Sequence, residues 1–251
     1  MSALVVLIIG SMAFATLAPE RREALHALAD DLRRVFGSGL RSVCAYGAVE
    51  ASDDTHSIAL VDHLSFDELA ACLPLARGWA ARGLAVPLIL EVDEFTRTLD
   101  VFPLEYGDII ANHVVIDGPD PFLNLTVSDD DRRRGCEQQA KSHLIHLRES
   151  YLETRGDPRA VSRLIAASGP GFGRLLQNIV ALVDGHGTVS EHHDLAERAE
   201  RHIGVPAALT REVLASASSG GPTTIADPSA MLSRYISAVE RVWEFVDAWK
   251  S

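Results

Sequence analysis

The residues best suited to binding an anion lie on a helix predicted in the C-terminal half of the chain. Lys141 and Arg148 are about two helical turns apart, on the same face as Glu137. Two cations on one face could bind phosphate groups across a cleft. Alternatively, Lys141 pairs with Glu137, because an acid four residues before a lysine is the favoured order on a helix. The sequence leaves both interpretations open.

Three carboxylates, Asp100, Glu105 and Asp108, lie close together in the sequence. Glu105 and Asp108 share a helical face, because residues at positions i and i+3 are neighbours on a helix. The three acids could line a cleft at a domain junction and face a bound ligand. We favour a structural role, in which they cap and hydrogen-bond the junction, because buried carboxylates are usually paired.

The histidine and cysteine spacings predict no metal site. His143 and His146 could each donate a ring nitrogen, but a protein metal site needs three or four converging donors and no further spaced ligand accompanies them. Cys44, Cys72 and Cys136 are widely separated and form no paired motif. An odd, sparse set of this kind is typical of buried thiols in a reducing compartment, so we expect a cytoplasmic protein.

The N-terminal half contains a predicted strand, a glycine-initiated loop and a second strand. Two short apolar runs, Val43–Tyr46 and Ile58–Val61, flank a polar stretch that opens with Gly47 and contains Asp53 and Asp54. An apolar run of about 4–8 residues bounded by turn-forming residues predicts a buried strand. The alternation of such strands with amphipathic helices indicates a mixed α/β sheet.

Several short motifs follow in order along the chain: Tyr46-Gly47, residues 100–108, residues 117–121, Cys136-Glu137 with Lys141, and residues 147–152. In these motifs the sequence resembles bacterial nucleotidyltransferase-domain proteins of the DNA polymerase beta-like superfamily. The resemblance implies an α/β (α+β) fold with a nucleotidyltransferase-like mixed sheet, followed by an all-helical C-terminal bundle. It also implies a nucleoside triphosphate ligand with Mg²⁺ where the protein is active.

The resemblance implies that a nucleotide approaches Gly47 and Ala48, since glycine lets a backbone come close to phosphate. In the superfamily a strand ends in Gly-Ser, and the next strand begins with acids that hold divalent metal. Here Ala48 replaces the serine, and the acid positions fall on Ser57 and Ala59. Neither side chain can supply a carboxylate. We therefore expect the chain to keep the nucleotidyltransferase-like fold and to lack the metal-binding acids.

Other acids could in principle substitute for the missing pair. Asp53 and Asp54 are adjacent, so in an extended loop their side chains diverge and do not readily chelate one ion. Glu91, near the end of the next predicted strand, could supply a third acid but would lack a partner. Two-metal transfer needs ions about 3.5–4 Å apart. An active, Mg²⁺-dependent nucleotidyltransferase with rearranged acids stays the alternative.

Composition limits the class of protein. The chain has 251 residues, of which 47% are hydrophobic and 23% charged, as in ordinary globular proteins. Its formal net charge of −12 disfavours a general nucleic-acid binder, because phosphate contacts need clustered lysine and arginine. We expect an apolar extension over residues 1–19, the nucleotidyltransferase-like domain over residues 20–122 and the helical domain over residues 123–251.

Two prolines are predicted to interrupt helices. Ser65 and Glu68 form a capping box for a helix over Phe66–Arg82, and Pro74 is expected to kink or break that helix. In the C-terminal half, Gly169-Pro170-Gly171 is expected to kink or break another helix. The last helix should carry an apolar stripe that includes Trp243.

The apolar N-terminal run, residues 3–18, is uncharged. It is shorter than the roughly 20 residues that a membrane span needs, so we do not expect membrane insertion. A packing or oligomer-forming extension is favoured, while a signal-like or anchoring segment and a packed strand stay open.

Taken together, these patterns predict a nucleotidyltransferase-like protein without catalytic activity that acts as a nucleotide-binding or regulatory module. Its partners would be a nucleotide, another protein or a second copy of the chain. The alternatives are the active enzyme and a scaffold or oligomer-forming protein.

Overall fold

The computed structural model describes residues 18–47, 54–185, 192–218 and 225–249. The chain divides into two compact units, Met1–Val127 and Ser128–Ser251. The predicted boundary after residue 122 lies close to this division. Most of the predicted extension over residues 1–19, together with Ala48 and Asp53, lies outside the described residues. None of the helices in the described ranges combines the length and the apolar character needed to cross a membrane.

The first unit is a four-stranded mixed sheet with helices, as the alternating pattern predicts. Its elements in chain order are α1 (Pro19–Phe36), β1 (Leu40–Tyr46), β2 (His56–Val61), α2 (Phe66–Ala80), β3 (Leu88–Glu91), α3 (Val92–Arg97), α4 (Pro103–Ala111) and β4 (His113–Asp117). The strand order is β3-β2-β1-β4. β2 and β3 are parallel, whereas β1 is antiparallel to both β2 and β4.

Both faces of the sheet are buried against apolar side chains. One face packs against α1 and α2, and the core there contains Val43 and Ala59 together with Leu28 and Trp79. The opposite face packs against residues of α3 and α4 and the segment after β4. Successive strand residues point to opposite faces. All five residues of β2 from Ser57 to Val61 are therefore buried, although they alternate between two separate clusters.

The helix α2 begins with the predicted capping box. The backbone N–H of Glu68 donates to Ser65 Oγ at 3.3 Å, and the Ser65 N–H donates to Glu68 Oε2 at 2.8 Å. Pro74, however, lies inside a continuous helix, so of the predicted kink or break the break is wrong. The helix continues past Pro74 because Trp79 is 1% exposed and its Nε1–H donates to Asp31 on α1 at 2.9 Å. Packing beyond the proline outweighs the local cost.

The second unit is helical in the part that the structure describes. Its helices are α5 (Asp129–Glu153), α6 (Pro158–Val183), α7 (His192–Ile203), α8 (Ala207–Ser218) and α9 (Pro228–Ala248). α6 contacts each of the other four, and most of its apolar face is fully buried. This arrangement places α6 at the centre of the core and leaves α5 and α9 packed against each other. The predicted helical C-terminal half is confirmed for these residues.

At Gly169-Pro170-Gly171 the break, one of the two expected outcomes, is wrong, because α6 is continuous through it. A Cβ built on Gly169 would lie 2.9 Å from the Cβ of Ala217, and one built on Gly173 would lie 2.9 Å from Leu214 Cδ2. The absence of a Cβ at these two glycines therefore allows α6 and α8 to approach closely. The contacts of α6 with the helices around it keep the turn that contains Pro170 helical.

Candidate functional site

The predicted metal-ligand positions lie inside the core of the first unit. Ser57 is 1% exposed and Ala59 is fully buried. They are two residues apart on β2, so they share the sheet face that α1 and α2 cover. The Ser57 hydroxyl has no hydrogen-bond partner among the described residues. Solvent does not reach this face, which leaves no path by which a metal–nucleotide complex could meet these two positions.

The proposed substitute acids lie elsewhere. Glu91 ends β3 and accepts a hydrogen bond from the Leu64 backbone N–H at 3.0 Å, while His63 Nδ1 lies 3.0 Å from the same oxygen. The parallel register pairs Val61 with Glu91, so Glu91 lies about four strand residues, roughly 13 Å, from the level of Ser57. Glu91 therefore holds the segment after β2 in place. Asp54 is exposed.

Gly47 has the left-handed backbone conformation that favours glycine, with φ +83°. Among the described residues other than its chain neighbours, no atom lies within 4 Å of a Cβ built there. Its N–H donates to the Asn112 carbonyl oxygen at 3.3 Å, which occupies the donor that a phosphate would need. The predicted approach of a nucleotide to Gly47 and Ala48 stays a prediction.

The three clustered acids, Asp100, Glu105 and Asp108, are all exposed. Asp108 Oδ1 accepts a hydrogen bond from Asn112 Nδ2 at 2.7 Å, at the C-terminal end of α4. Burial raises the pKa of the Tyr46 hydroxyl, and the nearby Asp108 charge adds to that effect. Asp108 thus has a local structural role. A role of the three acids at the domain junction stays a prediction.

The two cations singled out on α5 both contact α9. Lys141 Nζ lies 3.6 Å from the ring centroid of Trp243, and Arg148 forms an ion pair with Glu240. Glu137 pairs with Arg133 at 3.0 Å instead of with Lys141. Of the two interpretations that the sequence leaves open, the Glu137–Lys141 pair is not formed, and Lys141 makes a cation–π contact instead, which contributes about 0.5–1 kcal/mol.

An open groove of about 690 Å³ runs along α5 beside Trp243. We call it the α5–α9 groove, and its lining residues are Arg134, Glu137, Gln138, Lys141, Ser142, Ile145, His146 and Trp243. Its volume is within the range of about 300–1,000 Å³ that small-molecule sites occupy. It combines a half-buried indole ring with cationic side chains. These groups suit an anionic ligand that also carries a flat ring.

The structure separates the two histidines that the sequence places three residues apart. His146 is exposed and lies 3.5 Å from Glu149. His143 points into the bundle, where its Nε2 lies 2.8 Å from the Tyr235 hydroxyl and its ring stacks on Phe172. Nowhere in the described ranges do three histidine, cysteine or acidic side chains converge as metal ligands.

His143 makes the stability of the second unit depend on pH. Burial lowers the pKa of His143 to about 4, whereas the unfolded chain has the ordinary value of 6.5. The unfolded state therefore takes up a proton first as the pH falls, and stability present above pH 6.5 is lost towards pH 4. We expect His143 to account for a loss of about 3 kcal/mol in the free energy of unfolding over this range.

Urea unfolding at intervals of pH measures this loss, with His143→Gln as the comparison because glutamine does not titrate. The variant is expected to be less stable at pH 7.5 but to lose much less stability between pH 6.5 and 4. Equal pH slopes in the two proteins would show that His143 is not the titrating group.

No model of a known protein family matches the sequence, and no curated protein gives a significant match. The resemblance to nucleotidyltransferases therefore rests on the motifs alone. The structure establishes a mixed α/β unit and a helical unit. The sequence predicts Trp243 on an apolar stripe of the last helix but not as the ring beneath Lys141. No signal along the chain could have paired two residues so far apart.

Proposed function

We propose that the protein is a nucleotidyltransferase-like module that binds a nucleotide without transferring it. The observation that carries the proposal is the position of Lys141 over the half-buried Trp243 ring in an open groove. A purine or pyrimidine stacks on an indole with a gain of about 1–3 kcal/mol. Lys141, which lies over the ring, would move aside as the base stacks, and its ammonium would then bind the phosphates that the base carries.

The two positions that hold the metal ligands in the superfamily support the absence of nucleotide transfer. Ser57 and Ala59 lack carboxylates and lie beneath α1 and α2. Two-metal catalysis needs acids that open onto a shared cleft with the nucleotide. The active, Mg²⁺-dependent alternative needs another set of acids, and the engagement of Glu91 with Leu64 and His63 gives that alternative no support.

The binding site is tested by calorimetric titration of the full chain with ATP in the presence of EDTA. We expect the wild type to bind and Lys141→Ala to bind about tenfold more weakly, because one charge-assisted contact contributes about 1.4 kcal/mol or more. Arg148→Ala is the matched control. Arg148 lies on the same helix and is paired with Glu240, but it does not line the groove, so its removal should leave the affinity unchanged.

Three results would contradict the proposal. The first is a wild type that does not bind ATP, and the second is an equal effect of the two substitutions. The third is transfer of label from α-labelled ATP with Mg²⁺, which would favour the active enzyme. Circular dichroism melting of each variant shows whether a lost affinity reflects a lost fold.

A further inference from the structure

The outer surface of α2 is apolar and open to solvent. Phe66 is 81% exposed, Leu73 is 73% exposed and Leu69 is 40% exposed. These positions follow the spacing i, i+3 and i+7, so the side chains form one stripe along the helix. Between and beside them lie small or apolar residues, namely Ala70, Ala71, Pro74 and Gly78. A contiguous apolar surface of this kind on a helix is typical of an interaction site.

Two opposite charges stand at the two ends of this stripe. Asp67 is in the first turn of α2 and Arg77 is in its last turn, and both are exposed. They are ten residues apart on a helix, about 15 Å, so they do not meet within one chain. Neither side chain has an ion-pair partner in the described part of the chain. The surface is therefore apolar in its middle, negative at one end and positive at the other.

We propose that α2 is a homodimer interface in which two copies of the helix pack antiparallel about a two-fold axis. The axis passes near Ala70 and Leu73, so that Phe66 of one copy lies beside Arg77 of the other. Asp67 of each copy then comes within reach of Arg77 of its partner, and the ion pair forms twice. A two-fold interface must be self-complementary, and this distribution of charge meets that condition. The inference rests on α2 alone and does not depend on nucleotide binding.

The size of the surface sets the expected strength. A helix of 15 residues is about 22 Å long, so its outer face supplies less than the roughly 800 Å² per partner of a standard stable interface. We therefore expect a weak dimer that forms reversibly and depends on protein concentration. Sedimentation velocity of the full chain over a concentration series measures this equilibrium directly.

Charge reversal tests the geometry. Asp67→Arg and Arg77→Asp should each weaken the dimer about tenfold, because two attractive pairs become two repulsive ones. The double variant restores opposite charges with exchanged positions and should return close to the wild-type affinity. It also keeps the altered helix N-terminus of Asp67→Arg, so recovery excludes damage to α2 as the cause. Glu153→Arg, an exposed reversal on α5, is the control and should not change the dimer affinity.

Leu73→Glu should abolish the dimer and leave the monomer folded, because Leu73 is exposed. Several outcomes would overturn the proposal: a wild type that is monomeric at every concentration, a dimer insensitive to the α2 substitutions, or a double variant no better than the single ones. A monomer that dimerises only after removal of residues 1–17 would show that the chain's own N-terminal segment covers α2, and would also overturn it.

Discussion

Replacing Ala59 by aspartate is expected to unfold the first unit instead of restoring a metal ligand. Ala59 is fully buried within the apolar cluster that joins the sheet to α1 and α2. A carboxylate there loses its hydration and gains no partner, so the free energy of unfolding should fall by at least about 3 kcal/mol. Urea unfolding measures the change in this unit when it is followed by tryptophan fluorescence in a chain carrying Trp243→Phe and Trp249→Phe, in which only the buried Trp79 emits.

His56→Asp is the matched control, because His56 lies on the same strand and is exposed. Its effect should be about 1 kcal/mol or less. If Ala59→Asp instead folds like the wild type and is stabilised by added Mg²⁺, the position opens onto a ligand cleft. That result would contradict the burial argument and support an ancestral or residual metal site.

Gly118→Ala should destabilise the first unit by about 3–5 kcal/mol. A Cβ at this position would lie 2.2 Å from the backbone carbonyl oxygen of Arg41. Because the atom it meets belongs to the backbone, no side-chain rotation can relieve the clash. The residue also has φ +81°, which adds about 1–2 kcal/mol for any residue with a Cβ. Thermal or urea unfolding of the variant measures the combined loss.

Gly47→Ala separates the two causes. Gly47 has almost the same φ, +83°, but in the part of the chain that the structure describes no atom beyond its chain neighbours lies within 4 Å of its built Cβ. We expect it to lose only the conformational part, about 1–2 kcal/mol. If the two variants lose equal stability, the close approach of Gly118 to Arg41 contributes nothing to the loss.

Much of the fold could be predicted from local signals. The capping box at Ser65 and Glu68 predicts the beginning of α2, and the apolar runs predict β1 and β2. At Pro74 and Pro170 the prediction was a kink or a break, and neither helix is broken, for one shared reason. Each proline lies in a helix that packing retains, through Trp79 in α2 and through the close approach of α6 to α8. Such packing involves residues far away in the chain, which local rules do not see.

The candidate site was less predictable. A strand buried on both faces reads as a continuous apolar run, so the sequence of β2 does not tell which face Ser57 and Ala59 share. The partners of the predicted cations were also hidden. Their residue types and spacing mark Lys141 and Arg148 as candidate phosphate ligands. Their partners Trp243 and Glu240 lie on α9, at the end of the chain, where no local pattern links them to α5.

The sheet order has a consequence for how the protein is made. β1 is an inner strand, and one of its two neighbours is β4, so that Val43 pairs with Asp117. During synthesis β1 leaves the ribosome long before β4 exists. Until then one edge of β1 presents unpaired backbone groups to any neighbouring nascent chain. Pairing between distant segments is also slow. Translation of the segment between these strands is therefore the stage at which newly made chains are most prone to aggregate.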